Sequence, residues 1–349
     1  MKVRFNRRWL DGATLLLGLL LLWLFARQIN WREEFVLLGQ IGPVPFLIYV
    51  AINCAIALFF ANRWWLLLRG MGVRIAFGRL AVYRLIGATI SLLTPGPQFG
   101  GEPAQVWLLA RRGGVASSQA IASVALDRLL ELTVNLAFLV TGIVYTLWTD
   151  VLGAALDIRA ILLTLLPLVL PLLLLFGLWW RGRFLTGAVQ GLAERLPDGW
   201  QPLIPLGLLR SLAAGEAHIH DILRQNPRLV VVGGLVSVVN WLVLLVDFWL
   251  ATRLIGMDLN PAQFIGFVVA ARIAILLPIP AGLGALEASQ IIAAERFGLN
   301  PALGLALVLL FRARDVALAL IGLWLAWRER GARKKVHFFE GAIDDHTIE

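Results

Sequence analysis

Apolar residues in this chain fall into long runs separated by short basic or Pro/Gly-containing breaks. Crossing a hydrocarbon core takes about 20 mostly apolar residues in helical form. Clear candidates lie near 10–26, 44–62, 119–148, 160–180, 229–252 and 301–327. The short alternating strands of an outer-membrane barrel are missing from the pattern. Two further apolar segments, 80–110 and 261–298, are interrupted by Pro and Gly. Backbone broken at membrane depth must be buried in protein or line a wet cavity, because lipid satisfies neither N–H nor C=O. These two segments are therefore expected to be re-entrant or broken helical hairpins meeting at the centre of the molecule.

The two interrupted segments repeat one pattern. The first reads Arg84-LIGATISLLT-Pro95-GPQFGG-Glu102 and the second Arg272-IAILLPI-Pro280-AGLGAL-Glu287. Each has an Arg in an apolar run, a break containing Gly100 and Gly101 or Gly282 and Gly284, and a Glu seven residues past a Pro. The Arg-to-Pro spacing differs, 11 residues against 8. A long apolar helix follows each, carrying Asp127, Arg128 and Glu131 in one case and Arg312, Arg314 and Asp315 in the other. Interrupted segments at matching places in two halves point to a transporter's binding site.

Composition supports the membrane reading: 59% of the 349 residues are hydrophobic and only 15% charged. The basic residues set the orientation. With the N-terminus inside, 21 of 31 Lys and Arg fall on the cytoplasmic side, Arg63, Arg69, Arg74 and Arg79 among them, against five outside and five within apolar segments. Both termini are thus expected in the cytoplasm of a prokaryotic plasma (inner) membrane protein, and the basic pI needs no nucleic-acid partner. The two hairpins then enter from opposite sides. The expected fold is an all-α polytopic membrane protein. It is an inverted-topology repeat of about six full spans plus two oppositely facing hairpins, with a first repeat over 1–150, a second over 151–330 and a cytoplasmic tail over 331–349. The loop 181–227 carries two amphipathic stretches suited to the cytoplasmic face. Trp9, Trp64, Trp65, Trp148, Trp179, Trp180, Trp324 and Trp327 near span ends read as an interfacial belt.

Most enzyme signatures are missing. The sequence has no HExxH, no GxSxG and no GxxxxGK[ST]. His218 and His220 are two apart on a helix and cannot share a metal, and the single Cys54 forms no disulfide within the chain. No cofactor or metal is expected, and nothing in the sequence bears on oligomeric state. The chemistry lies in the intramembrane charges, each costing about 3 kcal/mol or more to insert. Arg84, Glu102, Arg128, Arg272, Glu287 and Arg312 are the candidate substrate-binding residues, and Glu102, Glu287 and Asp127 the candidate proton carriers. The alternative is that the charges pair with one another and pin helices together. Glu102, just before Pro103, also suits the first turn of the returning half-helix, as a cap. Arg84 and Arg272 have no acid nearby in sequence, which leaves a distant partner such as Glu102 or Glu287, or an anionic ligand held by the planar fork.

At these residues the chain resembles the lysylphosphatidylglycerol synthase transmembrane-region family of flippase-like integral membrane proteins. LLTPGPQFGGEPAQVWLLARRGG with DRLLEL downstream, and LPIPAGLGALEAS with FRARD, carry the resemblance. Ser91 stands where the family pattern has Asn, and Ala281-Gly282 replaces Gly-Gly. The resemblance implies movement of lipid between leaflets. The expected activity is a flippase- or scramblase-like translocase, not an enzyme, for an anionic or amphiphilic lipid: a phospholipid, aminoacyl-phospholipid, hopanoid or polyprenyl-phosphate-linked lipid. Its partners are membrane lipids and, by implication, a lipid-synthesising enzyme. The alternatives are a membrane-embedded lipid or glycosyl transferase and a non-transporting partner of a lipid-modifying enzyme.

Overall fold

In a computed structural model, every regular element among the described residues is a helix. The structure describes residues 42–93, 100–149, 171–180, 206–277 and 284–344, with 169, 186, 187 and 282 as isolated positions, the backbone alone being described at 206–211 and 330–344. The span expected at 10–26, the first part of that at 160–180, the stretch 188–205, Pro95, Pro280 and Ala281 lie outside the described residues.

In chain order the helices are α1 (Pro43–Gly70), α2 (Phe77–Leu93), α3 (Glu102–Arg111), α4 (Ser117–Trp148), α5 (Pro171–Trp180), α6 (Leu206–Gln225), α7 (Pro227–Leu254), α8 (Pro261–Leu276), α9 (Ala285–Arg296) and α10 (Pro301–Asp344). Proline in the first turn, where its missing N–H costs nothing, starts α1, α3, α7 and α8. Asn260 adds a reciprocal capping box with Gln263 at α8. α1 and α7 are each 28 residues long and stop the same way, with Gly72 and Gly256 at positive φ just beyond the cap.

α1, α4 and α7 are long and apolar enough to cross a membrane. At about 1.5 Å per residue, the 17 residues of α2 and the 16 of α8 fall short of a hydrocarbon core of roughly 30 Å. Large apolar side chains face outward along α1, α4, α7 and α10, including Leu47, Val144, Val231, Leu235, Val246 and Leu320. Arg63, Asp127, Asn240, Asp247 and Arg312 are buried. Apolar outside and charged inside is the inverse of a water-soluble domain, and identifies lipid as the solvent of the outer faces.

Direct contacts fix helix directions. Arg63 meets Ser237 and Asn53 meets Asp247, so α1 and α7 run antiparallel. Leu130 packs at Gly233 and Phe138 stacks on Trp241, so α4 and α7 run parallel. The α2–α3 and α8–α9 pairs form two hairpins, each packed on the long helix that follows, α4 or α10. The first limb of each hairpin also packs on the long helix of the other half: α2 on α10, where Thr89 abuts Gly322, and α8 on α4, where Val269 abuts Gly142. Within the first hairpin, a Cβ on Gly101 would lie 1.9 Å from the Gly87 carbonyl oxygen, so only glycine lets the limbs close. Ser91, the departure from the family pattern, accepts a hydrogen bond from the Gly101 N–H at 2.9 Å.

Two expectations need correction. α1 continues to Gly70, so Arg63 lies within the helix, on its buried face, and not in a cytoplasmic flank. Trp64 is fully buried, with its Nε1 donating to Ser123 Oγ at 3.2 Å, and is not part of an interfacial belt. In the amphipathic loop, α6 packs on α4, where Gly215 sits against Ile121 and Ser118, and Ile219 enters the core.

Candidate functional site

A cavity of about 400 Å³ lies between the two hairpins, lined by α1, α2, α3, α4, α7, α8, α9 and α10. Arg84, Glu102, Asp127, Arg128, Arg272 and Arg312 all line it. Glu287 reaches it through its ion pair with Arg312. Sequence reasoning did not single out Arg63, Asn53, Ser237, Asn240 or Asp247, yet each is a buried polar residue on α1 or α7 and all but Asn53 line the cavity.

On the first-half side, three arginines interlock with three carboxylates. Arg63, only 1% exposed, donates from Nε to Asp127 Oδ1 at 2.6 Å, from Nη2 to Glu131 Oε2 at 2.8 Å and from Nη1 to Ser237 Oγ at 3.0 Å. Arg84 pairs with Asp127 and, at 3.0 Å, with Glu131. Its distant acids are therefore on α4, and neither Glu102 nor Glu287 is one of its ion-pair partners. Arg128 bridges Glu131 at 3.0 Å and Glu102 at 3.1 Å. Glu102 opens α3, and its Oε2 accepts the Gly100 N–H at 2.8 Å. One carboxylate thus closes the broken turn and anchors it to α4. Paired, hydrogen-bonded charges of this kind are the tolerable form of charge in a low-dielectric interior.

The second-half side repeats part of this arrangement. Glu287 lies in the first turn of α9, and its Oε1 accepts from Arg312 Nη2 at 3.0 Å and Nε at 3.1 Å. The same Nη2 donates to the carbonyl of Gly282, a residue at positive φ like Gly284. Arg314 sits between two aspartates, Asp247 and Asp315, each at 2.9 Å. Asp247 also accepts from Asn53 Nδ2 at 2.9 Å. Arg63 and Asp247 occupy matched places, each 20 residues past the proline that opens its helix (Pro43, Pro227), and Asn53 and Ser237 each 10 residues past it. Their contacts are reciprocal.

Arg84 and Arg272, grouped by sequence, have different environments. Arg84 is held by two carboxylates. Among the described residues Arg272 makes no ion pair; its guanidinium carbon lies 4.5 Å from the centroid of the Trp241 ring. Phe138 stacks on that ring at 4.8 Å and 4° between planes.

The helices and their buried charges define a multi-pass helical membrane protein with a polar interior. The chain belongs to the family described as "Lysylphosphatidylglycerol synthase TM region", whose model matches residues 12–322. It is similar to a UPF0104 membrane protein of Methanothermobacter thermautotrophicus, 25% identical over 296 residues that cover 82% of this chain and 84% of that one. A UPF0104 membrane protein of Pyrococcus horikoshii is 29% identical over 164 residues, 45% of this chain and 46% of its own length. No solved structure matches.

Proposed function

We propose that this protein is a lipid translocase, not an enzyme, built as an inverted repeat whose halves, 1–150 and 151–330, enclose one head-group site. The observation that carries the reading is the shared cavity. Each hairpin delivers a Glu from the first turn of its second helix to an Arg on the following long helix, Glu102 to Arg128 and Glu287 to Arg312, and both arginines line the same space. Antiparallel α1 and α7, with polar residues at matched positions, support the inverted relation. Broken helices beside a midplane cavity are the usual place for a transporter's substrate.

Size supports a head group over a whole lipid. A cavity of about 400 Å³ is at the small end of ligand pockets, roughly 300–1,000 Å³. The polar part of a phospholipid fits it while the acyl chains stay in the bilayer. In this reading the apolar helices make about six spans with both termini cytoplasmic, in a plasma membrane, and the substrate comes from a lipid-synthesising enzyme. The family's description names lysylphosphatidylglycerol synthase, which supports a phospholipid substrate.

The test is reconstitution of the full chain in liposomes with fluorescent phospholipids, reading leaflet exchange and lipid chemistry together. Exchange above protein-free liposomes with unchanged lipid is the expected result. New lipid products without exchange would overturn the reading in favour of a transferase.

A further inference from the structure

The cavity holds a polar side chain with nothing to bind. Asn240 is 1% exposed and lines the cavity, yet neither its Nδ2 nor its Oδ1 has a hydrogen-bond partner. A buried amide left unpaired costs on the order of 1–3 kcal/mol. Such a group persists where a ligand or water completes it.

A second observation lies beside it. Arg272, on α8, faces the same cavity against Trp241, the residue after Asn240. Five other arginines line the cavity, and each is paired with at least one carboxylate: Arg63, Arg84, Arg128, Arg312 and Arg314. Arg272 alone among the described cavity arginines has none, and a cation–π contact leaves its N–H fork unused. A guanidinium buried in a membrane interior is costly unless its N–H groups are bonded, so an oxygen ligand is the component this fork lacks.

We infer that Asn240 and Arg272, backed by the Trp241 ring, form an oxyanion subsite that takes a singly charged phosphodiester. Arg272 supplies the positive charge and paired donors, the geometry that grips phosphate oxygens. Asn240 Nδ2 adds a neutral donor, and its Oδ1 accepts from a hydroxyl or water brought with the ester. Trp241, clamped by Phe138, fixes the plane of the guanidinium. The six arginines of the cavity are already balanced by six carboxylates, Glu102, Asp127, Glu131, Asp247, Glu287 and Asp315, so each added negative charge is costly and a singly charged diester is favoured over a doubly charged monoester. The subsite belongs to the second half only, because Arg84 in the first is committed to Asp127 and Glu131. This assignment deepens the translocase reading and rests on it for the lipid nature of the ester.

The experiment is isothermal titration of the full chain in maltoside micelles, in phosphate-free buffer. The probes are dihexanoylphosphatidylmethanol, a bare phosphodiester lipid, dihexanoylglycerol, which lacks the phosphate, and inorganic phosphate. Wild type is expected to bind the first and not the second. Arg272→Gln should weaken binding about tenfold or more, the equivalent of roughly 1.4 kcal/mol. Arg272→Lys, which keeps charge but loses the fork, should fall between. Asn240→Asp, which sets a negative charge against the ester, should also lose about tenfold, with a thermal midpoint near wild type showing that the fold survives. Unchanged affinity in Arg272→Gln and Asn240→Asp, or equal binding of dihexanoylglycerol, overturns the subsite. Inorganic phosphate binding as tightly as the lipid, with the same sensitivity to both variants, overturns the lipid assignment and leaves a free-phosphate site. Leaflet exchange measured in parallel separates the two readings. Exchange with variant-insensitive binding rejects only the subsite; variant-sensitive binding without exchange in wild type rejects only the translocase.

Discussion

Replacing Arg63 by Met is the most demanding perturbation of this architecture. The substitution keeps much of the aliphatic stem and removes a guanidinium that touches Asp127, Glu131 and Ser237. Two terms are at stake. Hydrogen bonds between helices inside a membrane average about 0.6 kcal/mol, so loss of the Ser237 contact is minor. Removing one partner of a buried ion network leaves an uncompensated charge and costs about 3–5 kcal/mol. The charge decides the outcome: three carboxylates would face only Arg84 and Arg128. Arg63→Met is therefore expected to destabilise by about 3–5 kcal/mol, and Ser237→Ala by less than about 1 kcal/mol. Adding Asp127→Asn to Arg63→Met restores neutrality, so the double variant should cost about 1–3 kcal/mol less than the sum of the singles. Unfolding in mixed micelles titrated with dodecyl sulfate, followed by circular dichroism, measures all four. Strict additivity, or a cost below about 1 kcal/mol for Arg63→Met, would refute the charge-balance argument.

Other expectations test the remaining elements. Gly101→Ala would set a Cβ against the Gly87 carbonyl oxygen, backbone that cannot step aside; a loss of about 3 kcal/mol or more in the same unfolding assay is expected, and wild-type stability would show that the hairpin limbs do not touch there. With Cys54 replaced by Ala, Leu67→Cys and Gly233→Cys should be joined by a short bis-methanethiosulfonate linker, because a Cβ at Gly233 would lie 3.4 Å from Leu67 Cδ2; failure to crosslink would contradict the antiparallel α1–α7 register. Glu287→Gln, which removes the carboxylate paired with Arg312, should destabilise by about 3 kcal/mol or more in the unfolding assay, and wild-type stability would show that this ion pair does not hold α9 to α10.

Much of this could be read from the chain because apolar runs and Pro/Gly breaks are local signals. The breaks near Gly100 and Gly282, and the first-turn placement of Glu102 just before Pro103, follow from residue type alone. Arg63 precedes Trp64, Trp65 and Arg69 and so looks in sequence like any basic flank of a span. Only packing against α4 and α7 makes it internal. Asp247 and Asn240 are isolated polar residues inside an otherwise apolar run. A usable signal was present: Asn53 and Arg63 are ten residues apart in one 28-residue helix, and Ser237 and Asp247 ten apart in the other. Partnership itself was not legible. Arg84 reaches the carboxylates of α4 while Arg272 stacks on an indole of α7, a choice between neighbouring helices that residue spacing does not state.

The cross-packing of the hairpins constrains how the protein is made. α2 rests on α10, and Asn53 of α1 needs Asp247, 194 residues later in the chain. Synthesis runs from the N-terminus at about 5–20 residues per second, so the early helices wait many seconds in the bilayer with polar faces unmatched. During that interval the carboxylates of α4 are the partners that Arg63 and Arg84 have among the described residues of the first half. Asp127 and Glu131 thus act during biogenesis as an internal chaperone, neutralising the first half's arginines until the second half arrives to cover them.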